Sequence, residues 1–407
     1  MVTKKMLTDN YKATGRDMTG FTRNVKNFSD ATEVLSVRGS EITLLSLCTI
    51  PRYQLEGKTV FYILSKENVE SFIDFGERLK LGSLDNEEIG DDLLEELKNG
   101  TKMMFTYDGE KYIMAKSAVV TLSQRVGVGG DTTVNRNNLV RDLHMADALF
   151  SKDEPVNFVY RYTDNINKVF ASFSGDFILN KQDHVLKVMS DIRFPFHEYA
   201  VRRYHVNNYI SEIECDLPSR YEGIIPGFMI KNSDTGNSSF IVRSTCHIGN
   251  SYAILSESIL RHDKNFTYER LINETFAQAR KSFDKLVPVF EKKLEHLKNS
   301  WIIDYSSFDP LSDLSRNKNF SAAKNLLKEG IGIFKGNLSK KAQVSVLDAL
   351  LDELDAGKKY SAYDIAAMLM HVPEYLSYLD ESTLTNLRKN ACYVPAFVEE
   401  RVSADYQ

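Results

Sequence analysis

A chain of 407 residues is long enough for two or three hydrophobic cores, because single cores stop growing near about 250–300 residues. Its 43% hydrophobic and 26% charged residues are the proportions of an ordinary globular protein, which sets aside disordered and fibrous classes. The formal net charge of −5 excludes a wholly basic, histone-like nucleic-acid binder but allows a basic groove on an acidic body.

The opening MVTKKMLTDNYKATGRD has lysines but no apolar segment behind them, so no signal peptide is expected. Residues 1–40 are polar with no sustained period and read as an arm, flexible or laid along another subunit. An N-terminal α+β subdomain is expected over 41–114. Its two strand-like runs, ITLLSLCTI and TVFYIL, flank a polar stretch with Pro51 and Gly57, and the first is far shorter than the ~20 residues that span a bilayer. In the acidic block 85–97, Leu93, Leu94 and Leu97 recur at helical spacing, as on a solvated amphipathic helix. MMFTYDG and KYIMA flank Asp108-Gly109, a hairpin signal.

A central β-rich domain is expected over 115–300. Helices over 118–126, ending in VGVGGD, and 137–150 precede a strand in which Val156, Phe158, Tyr160 and Tyr162 share one face. Residues 168–178 return as the second arm of that hairpin, around Asp164-Asn165, and a short helix is expected over 181–190. The stretch 226–250, PGFMIKNSDTGNSSFIVRSTCHIGN, reads as two strands around a polar, glycine-centred turn, with a further strand at 251–255. Phe276, Ala279, Phe283, Leu286, Phe290 and Leu297 then line one stripe of a helix over 268–297, which Pro288 should kink or break.

A helical bundle is expected over 301–407. Ser321 is read as the cap of AAKNLLKEG with Gly330 as its stop, and Ser339 as the start of KKAQVSVLDALLDELDAG. Ser361 and Asp364 have capping-box spacing. The fold class is therefore α+β: a central antiparallel β-rich domain closed by a long helix, followed by a C-terminal helical bundle.

Asn232, Ser233, Gly236 and Ser238 form an NS-x-x-G-x-S turn, and Arg243 and Cys246 an R-x-x-C element after it. With this order of strands and a long closing helix, residues 115–299 resemble a family of phage- and plasmid-encoded proteins of unknown function. Where that family ends its β part in Asn-Gly, this chain has Gly249-Asn250, one position late and reversed, and Phe173-Ser174-Gly175-Asp176-Phe177 departs from the family's serine-containing strand in detail. The resemblance implies a mobile-element protein in a bacterial host and carries no mechanism.

Chemistry is sparsely signalled. VGVGGD lacks the Gly-Lys-Ser/Thr of a phosphate loop. No nucleophile elbow or zinc-protease motif occurs. Adjacent Cys246 and His247 should point to opposite faces of a strand and so form no dyad. Cys48, Cys215, Cys246 and Cys392 make no CxxC pair, so no metal or cofactor is called for and reduced thiols in a cytoplasmic protein are expected. Glu212, Glu214 and Asp216 alternate along one strand, as on a solvent-facing edge, with an Mg²⁺ nuclease centre as the chemical alternative.

From Arg193 to Tyr209, arginines and histidines interleave with aromatics, the combination that single-strand binders use: cations for phosphates and rings on which bases stack. Arg193, Tyr199, Arg202, Arg203, Tyr204 and Arg243 are the candidate nucleic-acid contacts. The plainer alternative is that the aromatics fill the core while the arginines pair with nearby acids. The leading expectation is a non-catalytic accessory protein of phage or plasmid DNA metabolism that binds single-stranded nucleic acid and self-assembles, resembling annealing proteins. The alternatives are a phage structural or host-directed protein with a protein partner, and a metal-dependent nuclease.

Overall fold

The computed structural model describes residues 11–48, 57–129, 138–163, 166–175, 179, 181–191, 199–235, 238–260, 276–300, 302 and 313–404. It is an α+β fold of two sheets and a C-terminal helical region. Strand β1 (Lys12–Gly15) and helix α1 (Met18–Ala31) come first. Strands β2 (Thr32–Arg38), β3 (Thr43–Leu47), β4 (Lys58–Leu64), β5 (Leu81–Asp85), β6 (Met103–Tyr107), β7 (Glu110–Met114), β8 (Pro155–Thr163) and β9 (Ile166–Ser174) build the first sheet. Its eight strands run in the order β2-β8-β9-β7-β6-β3-β4-β5, antiparallel except for the β7–β9 pair. The β6–β7 turn has Asp108 at φ 47° and Gly109 at φ 77°, the two left-handed positions a type I′ hairpin needs.

Both faces of this sheet are covered, and its strands alternate between two cores. Leu44, Phe105 and Phe158 meet α2 (Lys66–Phe75), α5 (Lys116–Val126) and α6 (Asn138–Lys152), while Leu45, Met104 and Ile113 meet α3 (Asn86–Ile89) and α4 (Asp91–Asn99). Leu93, Leu94 and Leu97 are the buried stripe of the acidic segment.

The second sheet is antiparallel, in the order β1-β10-β11-β12-β13-β14, with β10 (Ala200–Asn207), β11 (Ser211–Asp216), β12 (Ile224–Asn232), β13 (Phe240–Ile248) and β14 (Ser251–Leu260). On one face Val206, Ile213, Cys215, Phe228, Phe240 and Val242 pack on α1, α7 (His184–Asp191) and the N-terminal half of α8 (Phe276–Lys298). Ile224, Cys246, Ile248 and Ala253 join instead the core of the bundle, built from α9 (Asp313–Gly330), α10 (Lys340–Asp352), α11 (Ala362–Met370), α12 (Val372–Tyr375), α13 (Glu381–Ala391) and α14 (Val394–Ala404). Helix α8 stitches the two together. Its Phe283 and Val287 lie in the first core and its Phe290, Leu294 and Leu297 in the second, with Pro288 at the junction. Gly249 turns β13 into β14 at φ 56°, so the reversed Gly-Asn still makes a two-residue hairpin, with glycine at its first central position.

A buried ion pair joins the sheets. Arg161 of β8, fully buried, donates from Nη2 to Asp234 (2.6 Å), from Nε to Thr32 (3.0 Å) and from Nη1 to the Asn208 carbonyl (2.6 Å). Its guanidinium lies over Phe170 and Phe28, and Gln182 reaches the other Asp234 oxygen.

Several expectations are corrected. Residues 12–38 are not an arm: β1 extends the second sheet, β2 the first, and α1, capped by Asp17, buries Phe21, Val25 and Phe28 against the second. The boundary at 115 cuts a single sheet, because β8 pairs with β2 and β9 with β7. Ser321 is interior to α9, whereas Ser339 and Ser361 are N-caps, the latter in a capping box with Asp364. The turn at Asp164-Asn165 and the stretch 268–275 lie outside the described residues.

Candidate functional site

The second sheet's other face is polar. In β11 the odd residues Ile213 and Cys215 go to the core, which leaves Glu212, Glu214 and Asp216 on this face. The strand lies between β10 and β12, so the three acids are not on an edge, and each meets a cation instead. Between Val201 and Arg203 the register of β10 shifts by one residue, a bulge that adds Arg202 beside Arg203. Consecutive arginines therefore reach the same acidic row. Arg202 donates from Nε to Asp216 (2.6 Å), and Arg203 from Nε to Glu214 (2.6 Å). Two strands away Arg243 repeats the pattern, Nε to Glu257 at 2.7 Å. Lys231 is bracketed by Glu212 and by Glu381 of α13.

Helix α13 roofs the face from the bundle side, and Arg388 on it lies 4.5 Å from the centre of the Tyr252 ring and 3.2 Å from Glu374. Two adjoining cavities of about 550 and 680 Å³ result, and both are lined by Arg16, Arg203, Tyr252 and Arg388. Arg16, exposed on the β1–α1 connection, has no ion pair among the described residues. Among the described residues, Glu214 Oε1, His247 Nε2 and Arg388 Nε, on side chains that line the cleft, are buried without an aligned hydrogen bond, although the first two lie 2.8 Å apart. Native structures satisfy nearly all such atoms, so these are polar groups still available at the cleft.

Burial opposes charge on Glu214, Glu257 and Glu381, yet in each the neighbouring side chains prevail and hold the carboxyl below its ordinary value: the His247 ring and the Arg203 guanidinium at Glu214, Lys389 and Arg243 at Glu257, Lys231 at Glu381. At Glu212 burial wins and the pKa rises. Burial likewise pushes the Tyr252 phenol up to about 12. Cys215 and Cys246, both raised by burial, are core thiols.

Of the sequence candidates, Arg202, Arg203 and Arg243 come together in the cleft. Tyr204 does not offer its ring there: it packs beside Phe21 at 6% exposure, which leaves no face for a base. Tyr199 sets its ring edge-on to Phe228 of the core, and Arg193 lies outside the described residues. The plainer alternative thus describes Tyr204, and describes Arg202 and Arg203 in having acidic partners. The NS-x-x-G-x-S turn also divides. Asn232 and Ser233 are buried at the joint between the sheets, where Asn232 donates to the Lys181 carbonyl. Ser238 donates to the Ser239 carbonyl, and Gly236 lies outside the described residues. Cys246 faces the core and Arg243 the cleft, as strand alternation dictates.

Arg16, Tyr252, Glu374, Glu381 and Arg388 were not marked by the sequence, because only the fold brings segments so far apart to one place. His247 carried a signal, since it shares the parity of Arg243 on β13. Among the described residues no group of three or more His, Cys, Asp or Glu is arranged to hold a metal ion, and no helix is long and apolar enough to cross a membrane. No family model, curated protein or solved structure matches the chain.

Proposed function

We propose that the protein binds single-stranded nucleic acid through its phosphates in this cleft, as an accessory protein of phage or plasmid DNA metabolism. The supporting observation is how the arginines are held. Carboxylates engage Arg202 and Arg203 through Nε, which fixes each guanidinium plane and leaves the Nη groups without a hydrogen-bond partner among the described residues. Guanidinium groups so prepared bind phosphate with little further loss of side-chain freedom. Arg16 and Arg388 line the same space. Each cavity has the volume of a ligand pocket, and the adjoining pair suits a few nucleotides of strand better than a duplex. The resemblance of the Arg243–Cys246 segment to phage and plasmid proteins supports the mobile-element context.

Hydrogen bonds to charged groups contribute about 1.5–3 kcal/mol each, so losing one phosphate contact should weaken binding about ten- to a hundredfold. Filter binding of a single-stranded oligonucleotide should show that loss for Arg203→Ala and for Arg388→Ala, but not for Arg401→Ala on α14. Equal affinities across the three would overturn the assignment of the cleft.

A second reading, a host-directed or structural protein with a protein partner, has a different surface in its favour. Phe72, Ile73 and Phe75 of α2 and Leu81 of the edge strand β5 are 39%, 53%, 79% and 40% exposed. Apolar side chains beside an unpaired strand edge suit association with another chain. Sedimentation of the wild type against Phe75→Glu tests it: self-association that the charge abolishes would favour this surface, and a monomer in both would remove its support for self-assembly.

A further inference from the structure

The cleft also carries the parts of a general-base centre. His247, 3% exposed, has Nε2 2.8 Å from Oε1 of Glu214, itself 1% exposed, while the other Glu214 oxygen accepts from Arg203. The contact lies off the line of a ring N–H, so both atoms still lack a hydrogen bond, and Nδ1 of the ring has no partner among the described residues. Catalytic hydrogen bonds are often loose before substrate binds. The contact crosses one strand, β12, past Gly227, which stands in register between Asp216 and Thr245. A Cβ there would lie 2.9 Å from Thr245 Oγ1, so this lane stays clear of side chains. His247 is paired in register with Tyr252, their ring centres 5.0 Å apart, and the guanidinium groups of Arg388 and Arg203 lie 4.5 and 6.0 Å from that same tyrosine ring. A buried imidazole–carboxylate pair and two arginines thus converge on one end of the cleft.

We propose that the protein hydrolyses a phosphodiester bond of the strand it binds, with His247 as the general base and Glu214 as its positioning residue. The proposal rests on the phosphate-binding reading above. A water oxygen attacks phosphorus while His247 Nδ1 takes the water's proton, and Glu214 stabilises the imidazolium. The bond from phosphorus to the departing nucleoside oxygen breaks. That oxygen keeps the electron pair and takes a proton from solvent, and the imidazolium returns its own to solvent. Water is consumed, and the diester becomes a phosphomonoester and a free hydroxyl. Charge gathering on the non-bridging oxygens is met by Arg203 and Arg388. The acids Glu212, Glu214 and Asp216 each hold a lysine, arginine or histidine, and the step draws on none of them as a metal ligand.

The test incubates the full-length protein in EDTA with end-labelled single-stranded DNA and RNA oligonucleotides, with bound fraction and cleavage read from the same samples. Cleavage that falls at least a hundredfold in His247→Gln, with the strand still bound and the melting curve unchanged, is the expected result. Should that variant fail to fold, His247→Ala is assayed with and without free imidazole, and restored cleavage is expected. A strand that is bound and stays intact, or cleavage that survives loss of the imidazole, overturns the proposal alone. A strand that does not bind overturns the phosphate-binding reading and the proposal with it.

Discussion

Asp234 is fully buried, with its charge met by Arg161. Removing one member of such a pair strands the other in a low dielectric, so Asp234→Ala should cost about 3–5 kcal/mol in urea unfolding. A loss below 1 kcal/mol would contradict this role. Nothing in the sequence separates it from a solvated turn, because Asn, Ser, Asp, Thr and Gly are also what an exposed turn uses. Arg243 was easier to place: strand parity puts it opposite Cys246, and it lies there. At the cleft, Glu214, Glu257 and Glu381 have folded pKa values below their unfolded ones. Their stabilisation is present above about pH 4.5 and is lost as pH falls through the lowered values. Asp142, pushed up to about 6 by burial, acts oppositely, costing stability as pH rises from its unfolded value of 3.8 to about 6. Melting temperatures should therefore drop as pH falls below about 4.5, and Glu257→Gln should drop less steeply. An unchanged slope would show that Glu257 does not contribute to the acid limb.

Helix α1 decides how the N-terminus is understood. Its Phe21, Val25 and Phe28 recur at helical spacing, but they stand among Thr, Asn, Lys and Ser, so the segment passes for a polar arm until its partners are known. Those partners are Tyr204, Phe228 and Val242, about two hundred residues on. Phe28→Ala should cost about 3–5 kcal/mol in guanidinium unfolding, as for other buried phenylalanines. A change under 1 kcal/mol would restore the arm. Elements with a local signature were legible: the Asp108-Gly109 hairpin, the Ser339 and Ser361 caps, and strands β12 and β13. Pairings such as β2 with β8 were not, since register between strands more than a hundred residues apart leaves no mark in either.

Across the whole molecule the charges balance on average and divide by place. A chain of net charge −5 puts Arg16, Arg202, Arg203, Arg243 and Arg388 around one cleft, each except Arg16 with an acidic partner. Composition could not show this, because the arginines come from both ends and the middle of the chain and meet only when α13 folds back over β10–β14. Binding there depends on a few directed donors and not on a broad positive field, which fixes how it should respond to salt. Three or four phosphate contacts on a single strand give a slope of about −2 to −3 in log affinity against log salt. The deciding measurement is fluorescence anisotropy of labelled single- and double-stranded oligonucleotides across a salt series, with wild type and Arg202→Ala/Arg203→Ala. Single-strand preference with that slope, weakened at least tenfold in the double variant, is the predicted result. Absence of binding at low salt, or an affinity unmoved by loss of both arginines, would contradict it.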